Sequence, residues 1–141
     1  MIYEVESPVL KQKCASALDK MMALFDGDGL SALEGFKEDA GLDKAAAYFT
    51  NDGLGYPAGY VVIRDESVAD WIVVHELAHA VEDSLFGGKF EEKCGRAISL
   101  LGEAIYRDAP YRNAERIADL ITDNIDNNKI EEIKKCLKEV M

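Results

Sequence analysis

The sequence lacks the patterns that mark secreted and membrane-spanning proteins. It has only three cysteines, an odd number without CxxC spacing, which favours buried thiols over a disulfide framework. No apolar run approaches the roughly 20 residues that cross a bilayer. The N-terminus also lacks a basic start followed by an apolar stretch. We therefore expect a cytoplasmic protein that is not associated with a membrane.

Positive charge is also scarce. The chain carries 16 Lys and Arg against 27 Asp and Glu, which gives a formal net charge of -11 at pH 7. Phosphate backbones and anionic lipid surfaces attract basic proteins, so the composition argues against nucleic acid and membranes as partners. It does not identify any other partner, and it leaves the oligomeric state open.

The hydrophobic patterns predict one α+β domain that is mostly helical. A chain of 141 residues has room for a single core. Residues 45–50 and 60–64 are rich in aromatic and β-branched side chains and flank a Gly-rich stretch, which indicates two strands joined by a loop. Periodicity and boundary residues predict six helices, over 8–25, 31–39, 68–86, 90–107, 110–125 and 130–140.

The central helix, 68–86, is predicted to be largely buried. Ser67 and Asp70 resemble a capping box at its start. Apolar side chains, including Trp71, surround most of its circumference, and such a helix packs inside a core. Glu82 and Asp83 belong to the remaining polar strip, together with the polar side chains of residues 75–79.

Both histidines of the sequence lie on that helix, in the stretch HELAH. Because positions i and i+4 of a helix point the same way, His75 and His79 can bind one ion. Glu76 is turned away from that line but can reach a water at the ion. This is the HExxH arrangement of two zinc ligands and a general base. The alternative interpretation is a pair of core histidines held by hydrogen bonds, since buried imidazoles need partners in either case.

A third metal ligand has to be a carboxylate, because there is no third histidine. Glu115 and Asp119 lie four apart on the predicted helix 110–125. One of them can bind the ion while the other accepts the free ring N–H of a ligand histidine. The alternative interpretation is an exposed acidic face, and Asp83 is interpreted as a residue at the rim of the site. The other candidate ligands are Glu82, Asp83, Glu91, Glu92 and Glu103.

HELAH followed by ERIAD, residues 115–119, resembles the gluzincin metallopeptidases, whose pattern is HExxH with a downstream Glu and often an Asp four residues later. Among small soluble members, the chain is most similar to the ImmA/IrrE-type and minigluzincin groups. The resemblance covers about residues 60–125. It implies a zincin-like fold in which a small sheet precedes the active-site helix. It also implies that the strand at 60–64 is the sheet edge that pairs with an extended substrate.

The same resemblance implies one zinc ion bound by His75, His79 and Glu115, and hydrolysis of peptide bonds with Glu76 as the general base. The sequence departs from the pattern in two respects. The spacing between His79 and Glu115 is longer than in compact gluzincins, and no further histidine is present to stabilise an oxyanion.

A tyrosine is the remaining candidate for stabilising the oxyanion. Tyr111, one helical turn before Glu115, or Tyr106 could take that role, and the alternative for both is simple packing.

Two hypotheses on function follow. The first is a zinc-dependent peptidase, acting on a peptide or protein through a metal-activated water with Glu76 as the base. The second is a non-catalytic binding module that retains the HExxH site to stabilise its fold. Structural zinc sites are closed and rich in thiols, so an open site of two His and one Glu favours the enzyme. In this interpretation 1–44 is a helical N-terminal segment, 45–125 the catalytic core and 126–141 a C-terminal helix.

Overall fold

The computed structural model describes residues 1–43, 45–51, 55–87, 90–103 and 112–141. This part of the chain is α+β and mostly helical, as predicted, with five α-helices and one four-stranded sheet. The strands are β1 (Ile2–Glu4), β2 (Gly35–Glu38), β3 (Ala47–Phe49) and β4 (Tyr60–Ile63). The helices are α1 (Pro8–Leu24), α2 (Asp70–Phe86), α3 (Phe90–Leu100), α4 (Asn113–Asn124) and α5 (Lys129–Glu139), with a 3-10 turn at Gly27–Leu30.

The sheet has the strand order β1-β2-β4-β3. The strands β1, β2 and β4 are parallel, and β3 runs antiparallel to β4. The predicted pairing of the two strands at 45–50 and 60–64 is thus confirmed. The prediction that the second of them forms the sheet edge is wrong, because β2 pairs with its other side. All four residues of β4 are buried, as expected of an inner strand, and the two edge strands are β1 and β3.

The helix predicted over 31–39 is wrong, because this segment contains β2. Phe36 is fully buried beside Val61 of β4, so pairing within the sheet outweighs the local preference of the segment. Gly35 allows β1 to approach closely, since a Cβ atom there would lie 2.2 Å from the carbonyl oxygen of Ile2. The first 43 residues therefore supply two strands of the sheet as well as α1.

The central helix α2 begins at Asp70 and ends at Phe86, close to the predicted bounds. The predicted capping box is wrong: the residue at the N-cap position is Ala69, and the Ser67 backbone N–H donates to Asp65 Oδ1 at 2.9 Å. The expected burial of Trp71 is also wrong, since this side chain is 61% exposed at the first turn.

The C-terminal half consists of three helices packed against one another and α2. Both α3 and α4 overlap their predicted ranges, and the parts predicted over 104–111 lie outside the described residues. The predicted inward face of the last helix is confirmed, since Ile130, Ile133 and Leu137 are buried. The three cysteines are free and buried, also as predicted. Within the described ranges, no helix is both long and apolar enough to span a membrane.

Candidate metal centre

The candidate metal centre lies where α2 packs against α4 and the edge strand β3. His75 and His79 project from α2, with ring centroids 4.9 Å apart and nearly perpendicular planes. Glu115 projects toward them from the first turn of α4. One ligand atom from each of these three side chains lies within 4.8 Å of the others. The structure therefore brings together three predicted ligands in a group that could hold a metal ion.

The Glu115 carboxylate contacts both imidazole rings. Its Oε2 lies 3.0 Å from Nε2 of His75, and its Oε1 lies 2.9 Å from Nε2 of His79. Hydrogen bonds with the two histidines hold the pKa of Glu115 well below its usual range. The two Nε2 atoms thus face the same carboxylate, which is the donor set of a two-histidine, one-carboxylate site for a divalent ion.

The two histidines are basic in this arrangement. Burial acts to lower the pKa of His79, but hydrogen bonds with Glu115 and Glu82 outweigh this effect and raise the pKa to about 11. Burial also opposes protonation of His75, and the hydrogen bond with Glu115 again outweighs it and raises the pKa. A carboxylate facing two imidazoles stabilises their protonated forms, so protons compete with a metal for these nitrogens.

Glu76 stands beside the ligand group and is not part of it. Its Oε1 accepts a hydrogen bond of 2.9 Å from the backbone N–H of Phe49 on β3. Burial raises the pKa of this carboxyl, and the positive charges of His79 and His75 oppose that rise. The edge strand therefore fixes one oxygen of Glu76 through a backbone donor.

A cleft of about 480 Å³ opens beside these side chains. Its walls come from β3, α2, α4 and the start of α3, and Glu76, His79 and Glu115 face into it. Tyr48 and Phe49 of the edge strand contribute an apolar wall. Two of the candidate ligands, His79 and Glu115, are therefore reachable from the cleft, as a site that acts on another molecule requires.

A carboxylate lies near the second ring nitrogen of each histidine. Asp119 Oδ1 is 3.3 Å from Nδ1 of His75, but the hydrogen bond predicted for Asp119 is not formed between these atoms. Glu82 Oε1 is 2.7 Å from Nδ1 of His79, a contact that was not predicted from the sequence. The spacing allows it, because Glu82 is three residues after His79 on the same helix, where i and i+3 side chains are neighbours. Although Glu82 belongs to the polar strip of α2, it is only 2% exposed.

The other candidate ligands do not join the group. Glu103 accepts from Arg116 Nη2 at 3.1 Å and from Lys129 Nζ at 3.2 Å. Glu91 accepts from two backbone N–H groups at the start of α4, and the adjacent Glu92 is exposed. Asp83 lines the cleft, as expected of a rim residue, and burial raises its pKa. The two tyrosine candidates for the oxyanion, Tyr106 and Tyr111, lie outside the described residues.

Comparison with known proteins does not assign the chain to a family. No protein-family model, curated protein or solved structure matches it. The geometry alone therefore defines the metal centre. His75 and His79 have the HExxH spacing on one helix of an α+β protein, and Glu115 is a third side chain that could hold an ion with them.

Proposed function

We propose that the protein is a zinc-dependent peptidase of the gluzincin type. The observation that carries the proposal is the convergence of His75 and His79 from one helix on Glu115 from another, beside Glu76 in an open cleft. Two imidazole nitrogens and one carboxylate are the protein ligands of many catalytic zinc sites, which keep another position free. The spacing of the α2 residues matches HExxH, whose second residue acts as the general base.

Zinc bound by these three side chains would supply Lewis-acid chemistry, activating water as a nucleophile and polarising a carbonyl group. Glu76 takes the proton of the attacking water and passes it to the leaving amine. Its environment supports this role: burial raises its pKa toward the range in which a carboxyl can accept and return a proton. The N–H of Phe49 holds Oε1, and so Oε2 is the oxygen we assign to proton transfer.

We place the substrate along β3, because β4 is inside the sheet. The backbone groups of Thr50 face β4: its N–H donates to the carbonyl of Tyr60, and its carbonyl accepts from Gly59. Backbone groups alternate along a strand, so those of Ala47 and Phe49 face away from β4, and on that side the N–H of Phe49 is taken by Glu76. An extended peptide could pair with the remaining backbone groups of this edge by β-augmentation, with its scissile bond near Glu76.

The alternative, a binding module stabilised by metal, fits the site less well. Structural zinc sites are closed and usually contain thiolates. The three cysteines are buried and none belongs to the ligand group. All three ligands are partly accessible, and two of them, His79 and Glu115, border a cleft. A catalytic metal ion has to be accessible to its substrate, whereas a metal ion that only stabilises the fold does not.

The test measures zinc content and cleavage of a mixed peptide pool by the purified protein. We expect one zinc per chain and cleavage that a chelator abolishes. Glu76→Gln should keep the zinc and lose about 10²–10⁴-fold in turnover, since that is the usual contribution of a general base. Glu92→Gln, an exposed carboxylate on α3 outside the cleft lining, is the matched control and should match the unsubstituted protein in both measurements.

Three outcomes would contradict the proposal. The first is the absence of zinc binding, and the second is cleavage by Glu76→Gln at the rate of the unsubstituted protein. The third is tight zinc binding without cleavage of any peptide in the pool, which would favour the binding module.

A further inference from the structure

We propose that Glu82 is the main positioning residue of the metal centre, holding His79 through Nδ1 so that Nε2 faces the ion. The contact of 2.7 Å between Glu82 Oε1 and His79 Nδ1 is the shortest of the contacts between carboxylates and these histidines. The inference rests on the metal-binding part of the proposed function and does not depend on peptide hydrolysis.

The burial of Glu82 is the first argument. Only 2% of this residue is exposed, and its Oε2 has no hydrogen-bond partner among the described residues. A buried carboxylate with one unsatisfied oxygen costs stability. Its neighbours on the same helix, such as Val81 and Ala78, show that an apolar side chain would suit this environment. The Cys94 thiol is also beside this carboxylate, but a thiol is a weak donor, and the short contact of Glu82 is with His79. A role at His79 would offset the cost of burying the carboxylate.

The ring chemistry of His79 supplies that role. An imidazole binds a metal through one nitrogen and carries its proton on the other, and a carboxylate at the protonated nitrogen fixes the tautomer and the ring orientation. Glu82 contacts Nδ1, the nitrogen away from Glu115. It therefore leaves Nε2 directed at the ligand group. The same position excludes Glu82 as a ligand of an ion that is bound at Nε2.

The two histidines are held unequally. Asp119, the carboxylate near Nδ1 of His75, is 3.3 Å away and its side chain is 36% exposed. Among the described residues, Nδ1 of His75 is buried without a hydrogen bond of good geometry. Charge interactions are stronger when solvent is excluded. The structure therefore assigns the larger effect on metal binding to Glu82, although Asp119 was the carboxylate that the sequence motif suggested.

Substitutions at Glu82 separate orientation from charge. Glu82→Gln keeps an acceptor for the Nδ1 proton but removes the negative charge, and Glu82→Leu removes both. Glu92→Gln is the matched control for charge, since it removes a carboxylate from an exposed position on α3 that lies outside the cleft lining. Each protein is checked for its helical content by circular dichroism and for its melting temperature without metal.

Zinc affinity is measured by competition with a chromophoric chelator. We expect Glu82→Gln to bind zinc about 10–100-fold more weakly, the usual effect of losing such a partner. Glu82→Leu should bind more weakly still, and Glu92→Gln should bind within about twofold of the unsubstituted protein. Both Glu82 variants should melt at a lower temperature but remain folded without metal, because His79 keeps its contact with Glu115 when Glu82 is replaced.

A spectroscopic readout distinguishes positioning from a general effect on stability. The chain has only two histidines, so the ¹H–¹⁵N spectrum of their rings contains two sets of signals. In the zinc-loaded protein His79 should show a protonated Nδ1, and Glu82→Leu should shift or broaden that signal while changing the His75 signals less. The visible spectrum of the cobalt-substituted protein should change in the same variants.

Equal zinc affinity in Glu82→Gln, Glu82→Leu and the unsubstituted protein would overturn this inference and leave the proposed function intact. So would a loss in Asp119→Asn that exceeds the loss in Glu82→Gln. If the unsubstituted protein binds no zinc, both proposals fail together. The three outcomes are distinguishable within one set of titrations.

Discussion

Zinc binding should release protons, and the structure sets limits on their number. In the metal-free protein, a carboxylate oxygen at hydrogen-bond distance from a ring nitrogen favours a proton on that nitrogen, and Glu115 lies at this distance from Nε2 of both His75 and His79. Glu82 lies at this distance from Nδ1 of His79. We therefore expect His79 to carry a proton on both nitrogens before it binds metal, in agreement with its raised pKa.

The number of protons released depends on which ring nitrogen binds the ion. Zinc on Nε2 displaces one proton from His79, while Nδ1 keeps its proton for Glu82. His75 releases a second proton to the extent that it is charged, and its pKa is raised as well. We expect between one and two protons per zinc near pH 7. Zinc affinity should then fall by about tenfold to hundredfold for each unit that the pH is lowered.

Isothermal titration calorimetry measures this release directly. Zinc is titrated at one pH into buffers with different ionisation enthalpies, and the dependence of the observed enthalpy on buffer gives the number of protons. Dissociation constants at pH 6, 7 and 8 give the same number independently. A release near zero, together with an affinity that does not change with pH, would refute the assigned protonation of His79 and the contacts behind it.

Two further predictions concern the ligands themselves. Glu115→Ala should lose most zinc binding, and Asp119→Asn should weaken zinc binding by less than Glu82→Gln does. Glu103→Ala should keep zinc binding, because Glu103 pairs with Arg116 and Lys129. A zinc titration of these variants side by side checks this, and loss of zinc only in Glu103→Ala would contradict our choice of ligand. Free zinc at 100 times its dissociation constant should stabilise the folded protein by about 2.7 kcal/mol and raise its melting temperature by about 10 °C. His75→Ala should abolish that rise in a thermal scan, and an equal rise in this variant would argue against His75 as a ligand.

The local part of the metal centre could be predicted from the sequence because it depends on helix geometry alone. His75 and His79 share a face of α2 through their spacing, and the same rule places Glu115 and Asp119 together on α4. Helix geometry does not predict that α2 and α4 approach each other, but few carboxylates in the sequence could serve as the third ligand. A helix with two buried histidines needs polar partners, and this requirement pointed to the second acidic motif.

The sheet order could not be predicted in this way. The strands β1 and β2 have three and four residues, too short for a clear alternation of apolar and polar side chains. Each gains its stability from a partner distant in sequence: Phe36 of β2 packs beside Val61, 25 positions later. Without β2 the strand at 60–63 would be an edge, as the resemblance implied. Because β2 covers that strand, the edge that remains beside α2 is β3, and the surface available to a substrate differs from the one that the resemblance implied.

The contact of Glu82 with His79 was not predicted, for a different reason. A charged residue on an apolar helix is not expected to be fully buried, because a buried charge is costly. That rule fails when the charge pairs with another buried polar group, and the pairing here lies within the same helix, between i and i+3. The cost of burying Glu82 and the cost of burying His79 offset each other, so the burial of either one depends on the presence of the other.

The position of Glu115 depends on a contact outside the ligand group. It lies in the first turn of α4, whose N-cap residue, Arg112, provides no capping side chain. Glu91 on α3 takes that place: its two oxygens accept from the backbone N–H groups of Asn113 and Ala114, at 2.8 and 3.0 Å. A carboxylate satisfies these donors and interacts favourably with the helix dipole. The third ligand is therefore fixed by a neighbouring helix at the turn from which it projects, and α3 contributes to the metal centre without supplying a ligand to it.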